Sequence, residues 1–404
     1  MLNGFNLKPR VLVATLGVCA TTMPAVRLWC TESGKQNPIS SFSANPTSAN
    51  LHSRAKQAWE SEDFEQATKL SRRIVQLSPK SPEAWGYLGS SLYQMKRFAE
   101  ARDAYRETTK LTPENGPSWA FVGICEYELH DYRHAFSDLW EGEQLGFGND
   151  HDLQVIVRYR VALLWITAGE FDMGVKELAW FAQRNEANAD IIQAFGMAAL
   201  RVPLFPQDVP QGKKDLLTKA GEAAFSENGN ELDQARSPYR ILVESYPREA
   251  NVHYAYGKFL SKLDQDEAIR EYERELEVSP SHVPARIEAG YLYLKKGEFD
   301  KALSYAREAE DLAPRNALPH NLMGRIFMAM AKPDDAIPEL EEATRLAPNI
   351  VDFHLTLANA YRKAGKKELA EKEFAKFKTL DAKRKGELEL QGKYQLESQR
   401  HKPE

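Results

Sequence analysis

Small and large apolar residues recur along most of the chain at fixed distances from a series of prolines. Pro79 and Pro113 are 34 residues apart, and Pro280, Pro314 and Pro348 follow one another at the same interval. A fixed period of this length indicates a repeated structural unit rather than one globular core. The residues that return at equivalent offsets are Trp85, Leu88, Gly89, Ala101, Tyr105, Trp119, Gly123, Ala135, Gly290, Tyr293, Ala302, Ala309, Gly324, Ala336, Ala343, Tyr361, Ala370 and Phe374.

Each interval predicts two helices that are joined by a tight turn and end at a proline. Glycine and alanine let two helices cross closely, and the large apolar residues fill the space beside the crossing. Proline ends the second helix because it lacks a backbone donor and clashes with the preceding turn. Turns such as Gly297-Glu298-Phe299 supply a glycine for a left-handed helix end. One pair buries too little surface to fold alone, so stacked neighbours must complete each core.

These residues resemble the tetratricopeptide repeat, whose first helix carries the Trp, Leu, Gly and Tyr positions and whose second helix carries the Ala, aromatic and Pro positions. The resemblance covers roughly residues 51–380. It implies an all-α fold, a right-handed α-solenoid of antiparallel helix pairs with about eight to nine units.

The strength of the pattern also predicts the organisation of the chain. We expect a leader at 1–30, a flexible linker rich in Ser, Asn and Pro at 31–50, and an N-terminal repeat block at 51–200. A proline-rich interruption at 201–212, a C-terminal block at 213–380, and a charged terminal helix and tail at 381–404 follow. Glycines at Gly142, Gly146 and Gly148 are expected to loosen the second helix of the third unit.

The interruption begins at Arg201 and cannot be a regular helix, because three prolines fall within eight of its residues. It also carries apolar side chains that must pack against something: Val202, Leu204, Phe205 and Val209. Two interpretations stay open. The segment is either an ordered loop that covers its own helices or a loop that contacts a partner.

Composition and charge exclude two classes of function. The 53 basic and 58 acidic side chains give a formal net charge of -5 and a pI of about 6.1, so no basic excess is available for a nucleic-acid backbone. A mean hydropathy of -0.53 with 27% charged residues argues against a membrane-embedded body. We therefore expect no nucleic-acid partner, and membrane contact only through an N-terminal anchor.

The first 30 residues have the pattern of a secretory signal peptide. Lys8 and Arg10 precede an apolar run at 11–19, and small residues follow the run, which is too short to span a bilayer. An anchor that is never cleaved is the alternative, and lipid attachment at Cys19 is disfavoured by the bulky Val18. The leader predicts an exported bacterial protein, in the periplasm or associated with the cell envelope.

The sequence predicts neither an enzyme nor a metal or cofactor site. Its three cysteines, Cys19, Cys30 and Cys125, cannot build a disulfide framework or a metal knuckle, and we expect Cys125 to be a buried apolar residue. His130 and His134 are four apart, but the repeat places the first in a turn and the second at a helix start. No glycine-rich phosphate loop or nucleophile elbow occurs.

The resemblance implies where a partner binds. In this family the first helices line a concave groove, and side chains one, four and five positions after the conserved small residue often face the ligand. The residues this assigns to a peptide-binding groove are Tyr93, Tyr127, Tyr291, Arg325, Asn359 and Arg362. A helix or extended peptide with an acidic group or a C-terminal carboxylate suits them.

The predicted function is therefore a non-enzymatic scaffold that binds a protein or peptide in this groove. The alternative is an accessory subunit for the export or assembly of an envelope polysaccharide, which would contact glycan directly through the aromatic and basic groove residues. The pattern predicts neither the partner nor an oligomeric state.

Overall fold

The computed structural model describes residues 46–229 and 232–400, and within these ranges it contains helices and turns but no strand. The predicted leader at 1–30, most of the predicted linker and the last four residues lie outside the described residues. The helices are α1 (Pro46–Glu60), α2 (Phe64–Leu77), α3 (Pro82–Gln94), α4 (Phe98–Leu111), α5 (Gly116–Glu128), α6 (Tyr132–Leu145), α7 (His151–Thr167), α8 (Phe171–Gln183), α9 (Ala189–Ala199), α10 (Lys214–Asn228), α11 (Arg236–Ser245), α12 (Val252–Leu260), α13 (Gln265–Val278), α14 (Val283–Lys296), α15 (Phe299–Leu312), α16 (Ala317–Ala329), α17 (Pro333–Leu346), α18 (Val351–Lys363) and α19 (Lys367–Arg400).

The helices form a right-handed α-solenoid of antiparallel pairs, as predicted. Helices α1 to α10 make five pairs and α12 to α19 make four, which agrees with the expected eight to nine units. Helix α11 has no partner of its own and packs between α10 and α12.

A small residue in the first helix makes room for a large side chain of the second helix. A Cβ atom added at Gly89 would lie 2.9 Å from the ring of Tyr105, and one added at Gly257 would lie 2.6 Å from the ring of Tyr272. Both tyrosine rings are almost completely buried. The recurring glycines and aromatic residues of the sequence are therefore the two sides of one helix contact.

The turn between paired helices uses a left-handed backbone at the same place in most units. Glu62, Lys96 and His130 are 34 residues apart and have φ values of 62°, 58° and 61°. Gly297 and Ala331 continue the series in the C-terminal units, with φ values of 76° and 57°. Most of these residues are not glycine, so the packing of the two helices imposes the conformation against the preference of the side chain.

In four units, the residue six positions after the repeat proline ties the start of the first helix to the preceding turn. The indole N–H groups of Trp85 and Trp119 each donate to a proline carbonyl at 2.8 Å. His354 occupies the equivalent place, with Nε2 2.8 Å from the carbonyl of Pro348 and Nδ1 2.6 Å from Glu373. His253 repeats this arrangement with Pro247 and Glu271. Tryptophan and histidine thus make the same contact, from a ring nitrogen to a proline carbonyl, in different units.

Two boundaries differ from the prediction. Helix α1 begins at Pro46, inside the predicted linker, because proline suits the first turn of a helix, where its missing N–H has no partner to lose. At the other end, α19 runs from Lys367 to Arg400, so the boundary expected at 380 falls within one continuous helix.

The glycines of the third unit do not loosen its second helix. Helix α6 is regular across Gly142, where an added Cβ would lie 2.9 Å from both the carbonyl oxygen of Gly116 and the amide nitrogen of Ala120 in α5. Gly142 therefore permits a close backbone approach, and the expected flexibility is wrong for this helix. Gly146 ends the helix with a φ of 81°.

The proline-rich segment leaves the helical stack without dividing the core. Residues 201–212 contain a 3-10 turn at Pro206–Asp208 and part of a second at Gln211–Lys213, and no α-helix. One cluster of buried side chains extends from Tyr159 to Ile326, across the segment, and Val209 belongs to it. The loop is an excursion from a continuous solenoid.

Helices α9 and α10, on either side of this loop, make the closest backbone contact that the glycines show. A Cβ added at Gly196 would lie 1.9 Å from the carbonyl oxygen of Leu217, and one added at Gly221 would lie 1.8 Å from that of Ile192. Neither neighbour can yield without moving a helix, because both are backbone atoms.

We predict that Gly196→Ala and Gly221→Ala each lower the free energy of unfolding by about 2–3 kcal/mol, since the added methyl group forces the two helices apart. Urea denaturation followed by circular dichroism measures the change. Gly212→Ala is the matched control, because an added Cβ there meets nothing within 4 Å. An equal effect of all three substitutions would contradict the close-contact explanation.

Candidate peptide-binding face

The first two predicted groove residues lie at equivalent places near the ends of α3 and α5. Tyr93 and Tyr127 are both half-buried. Each ring packs against an aromatic residue that begins the next helix: Tyr93 against Phe98 with centroids 5.2 Å apart, and Tyr127 against Tyr132 at 5.4 Å. The turn geometry of the repeat thus brings one ring from each helix of a pair together.

An arginine from the next unit completes this site. Arg160 of α7 places its guanidinium 5.2 Å from the ring centroid of Tyr127 and donates to Glu128 at 2.9 Å. Burial raises the pKa of Tyr127 to about 12 and also raises the pKa of Tyr93, while the nearby Arg160 opposes both shifts. Both hydroxyl groups are therefore neutral at physiological pH, and the positive charge is balanced by one carboxylate.

The proline-rich segment covers part of this site. The ring of Phe205 lies 4.5 Å from that of Tyr132 and 6.1 Å from that of Tyr127, measured between centroids. Phe205, one of the apolar residues that the sequence predicts to pack, therefore lies against Tyr127, a predicted groove residue.

The other predicted groove residues form two pairs in the C-terminal units. Arg325 of α16 lies 5.3 Å from the ring centroid of Tyr291, whose hydroxyl donates to Asn321 at 3.1 Å. Burial raises the pKa of Tyr291. On α18, Arg362 donates to Asn359 at 2.9 Å.

The structure thus pairs four of the six predicted residues, Tyr291 with Arg325 and Asn359 with Arg362, whereas Tyr93 and Tyr127 each pack against an aromatic residue of the following helix. Arg325 and Arg362 are exposed, and the structure gives neither guanidinium a carboxylate partner among the described residues. The tyrosine rings, by contrast, are half-buried and already in contact with other side chains: Tyr93 with Phe98, Tyr127 with Arg160 and Phe205, and Tyr291 with Arg325. Because these rings do not present a bare flat surface, they offer little to the stacking of a sugar.

Two contributors to the face were not predicted from the sequence. Arg160 carries no repeat signal, although the two arginines among the apolar residues of α7, Arg158 and Arg160, are a sign that buried partners exist. Phe205 was recognised as a packing residue, but its position on Tyr127 and Tyr132 depends on how the loop folds back.

A second unpredicted contact joins helices that are far apart in the sequence. Lys258 of α12 lies 2.5 Å from Asp172 of α8. Between these helices, the guanidinium of Arg201 lies 4.7 Å from the ring centroid of Phe171 and 5.8 Å from that of Tyr254. The first residue of the proline-rich segment thus bridges the N-terminal and C-terminal blocks.

His282 lies close enough to Arg201 for the positive charge of the arginine to affect the pKa of the histidine. Burial, followed by the charge of Arg201, lowers the pKa of His282 to about 4. The neutral ring caps α14, since Nδ1 accepts the N–H of Ala285 at 3.0 Å, and Nε2 lies 2.8 Å from the side-chain oxygen of Asn251.

This pKa predicts a loss of stability in acid. Between pH 6.5 and pH 4 the unfolded chain binds a proton at His282 that the folded chain does not, so stability falls as the pH falls through this window. We expect this residue to contribute about 2–3 kcal/mol of that loss. Chemical denaturation at pH 7 and pH 4 measures the free energy of unfolding. From pH 7 to pH 4 it should fall less in His282→Asn, which keeps a helix-capping acceptor, than in the wild type. Equal losses in both proteins would contradict the assignment.

The residues with candidate chemistry in the sequence lie in turns, on the surface or in the core. No three His, Cys, Asp or Glu side chains among the described residues are arranged to hold a metal ion. Cys125 is buried, and burial raises its pKa well above the usual range. His130 lies in the turn, and His134 pairs with Asp131 at 2.9 Å on the surface. Within the described ranges, no helix has the length and apolar character needed to cross a membrane.

Comparison with known proteins identifies the repeats. Residues 52–116, 259–317 and 321–384 match the family described as Tetratricopeptide repeat. Over these segments the chain is similar to the tetratricopeptide repeat, and the helical pairs between them continue the same solenoid.

Two curated relatives match over part of their length. Anaphase-promoting complex subunit 3 of Schizosaccharomyces pombe is 25% identical over 154 residues, which are 38% of this chain and 23% of that protein. Protein O-mannosyl-transferase TMTC2 of Homo sapiens is 34% identical over 95 residues, which are 23% of this chain and 11% of that protein. The chain thus spans less than a quarter of the length of either relative.

Solved structures include two distant likenesses. MamA from Desulfovibrio magneticus RS-1 is 20% identical, with 38% of this chain and 88% of that one covered and a TM-score of 0.35. Yeast Tom70 is 15% identical, with 83% and 77% covered and a TM-score of 0.37. Neither likeness carries a functional argument.

Proposed function

We propose that this chain is a non-enzymatic scaffold that binds a protein or peptide partner along the face formed by its first helices. Tetratricopeptide solenoids are in general scaffolds for protein interaction, and three segments of this chain match that family. The observation that carries the proposal is the pair of exposed guanidinium groups, Arg325 and Arg362, on the first helices of consecutive units.

The surroundings of the two arginines favour an acidic partner group. Tyr291 supports Arg325 from one side, and Asn359 holds Arg362 through its side-chain oxygen. Both guanidinium groups therefore keep donors free for a carboxylate, which matches their planar geometry. The proposed partner presents an acidic side chain or a C-terminal carboxylate to this surface.

The test compares two double charge reversals. We expect Arg325→Glu with Arg362→Glu to reduce crosslinked partner recovery by about tenfold or more, because two attractive contacts become repulsive. The control is Arg307→Glu with Lys372→Glu, which changes the net charge equally at exposed positions on second helices. Quantitative mass spectrometry after crosslinking measures both. Equal recovery from the two variants would overturn the assignment of this surface.

The proposal includes an exported location, which rests on the leader pattern at 1–30. Cell fractionation and N-terminal sequencing of the mature chain test it, with cleavage after the small residues that follow the apolar run as the expected result. An intact N-terminus in the cytoplasmic fraction would contradict it.

The glycan-contacting alternative is not proposed. It rested on aromatic and basic groove residues acting on glycan directly, and the rings of Tyr127 and Tyr291 are already in contact with arginine side chains.

A further inference from the structure

The proline-rich segment places one aromatic side chain on a surface built by the N-terminal units. We define the tyrosine face as Tyr127 of α5 and Tyr132 of α6. Phe205 lies on both, with centroids 6.1 Å and 4.5 Å away, and Arg160 supports Tyr127 at 5.2 Å. This surface therefore already accommodates an aromatic residue from a non-helical stretch of chain.

The contact between the segment and the tyrosine face consists of ring packing. The backbone N–H groups of residues 202–209 that donate hydrogen bonds do so to carbonyls of the segment itself or to Met197 of α9. Neighbouring Leu204 is 37% exposed, and the proline before it is exposed as well. Because ring contacts are modest in strength and need no fixed backbone pairing, Phe205 can leave the face without breaking a hydrogen-bonded ladder.

The conformation of the bound residue defines the chemistry that the face accepts. Phe205 has a φ of -81° and a ψ of 153°, which is the polyproline II region. Pro206 follows it, and a proline restricts the preceding residue to this region. A segment with an aromatic residue directly before proline is therefore preorganised for the face and loses little conformational entropy on binding.

We propose that the tyrosine face is a recognition site for an extended aromatic–proline segment of a partner protein, and that Leu204–Phe205–Pro206 occupies it as an internal ligand. This inference rests on the proposed scaffold function and names the partner chemistry for its N-terminal units. The partner must displace a segment whose effective concentration is high because it is tethered through Val209, which is buried in the core.

The test uses a synthetic peptide with the sequence of residues 201–212, labelled with a fluorophore, and the full chain. Phe205→Ala uncovers the face, so the peptide should bind this variant at least about tenfold more tightly than it binds the wild type. Fluorescence anisotropy measures both affinities. A peptide with alanine in place of its phenylalanine, and a second with alanine in place of the following proline, should bind the variant more weakly.

Matched variants locate the binding. Gln207→Ser alters an exposed residue of the same segment outside Leu204–Phe205–Pro206 and should leave the affinity at the wild-type level. Tyr132→Ala combined with Phe205→Ala should abolish the gain. A second chain, with residues 203–208 replaced by a glycine–serine run of equal length, checks the same face without relying on one substitution.

The outcomes separate this inference from the proposed function. Equal affinity of the wild type and folded Phe205→Ala overturns the inference, as does binding that survives Tyr132→Ala. Loss of the folded state in both uncovered chains, detected by circular dichroism, would show that the segment is an essential structural element and would also overturn it. In any of these cases, the charge-reversal comparison at Arg325 and Arg362 still decides the scaffold function independently.

Discussion

The close crossing of two antiparallel helices is the constraint on which the rest of this structure depends. A large residue of one helix can reach the other only where the opposing residue has no bulky side chain, as Tyr105 does at Gly89 and Tyr272 at Gly257. The crossing then sets the length and the backbone conformation of the turn. His130 and Ala331 accept left-handed conformations because the paired helices leave the turn no alternative. Stacking of such pairs buries their remaining apolar faces and produces the solenoid.

Most of the aromatic side chains pack against other residues of the chain, and this limits the aromatic surface that is available to a partner. Tyrosines in the predicted groove are half-buried and engaged by neighbours, whereas Arg325 and Arg362 are exposed and have no carboxylate partner among the described residues. The C-terminal units therefore favour recognition of an acidic group. In the N-terminal units, by contrast, the available contact is aromatic and is occupied by Phe205 of the same chain. The two halves of one solenoid thus present different chemistry.

The proline-rich excursion connects these halves. Arg201 stacks on Phe171 and Tyr254, Lys258 pairs with Asp172, and the buried core continues from Tyr159 to Ile326. A segment that breaks the sequence pattern therefore strengthens the continuity of the fold. Its position also places a charge beside His282, which couples the ionisation of this histidine to the contact between the blocks.

The sequence by itself determined the repeat and the helix pairs, because the 34-residue period reflects contacts between residues that are near in the chain, and the resemblance to the tetratricopeptide repeat implied the right-handed solenoid. The same reasoning predicted the irregular backbone of residues 201–212 from three prolines, and the buried state of Cys125 from its place in a first helix. Its error at Gly142 arose because a glycine that permits a close approach looks the same as one that loosens a helix. Only the tertiary structure decided that Phe205 lies on Tyr132 and that Arg160 lies on Tyr127. The first contact depends on the path of the loop at 201–212, and the second depends on the rotation between neighbouring units. A 34-residue period in the sequence specifies neither of them.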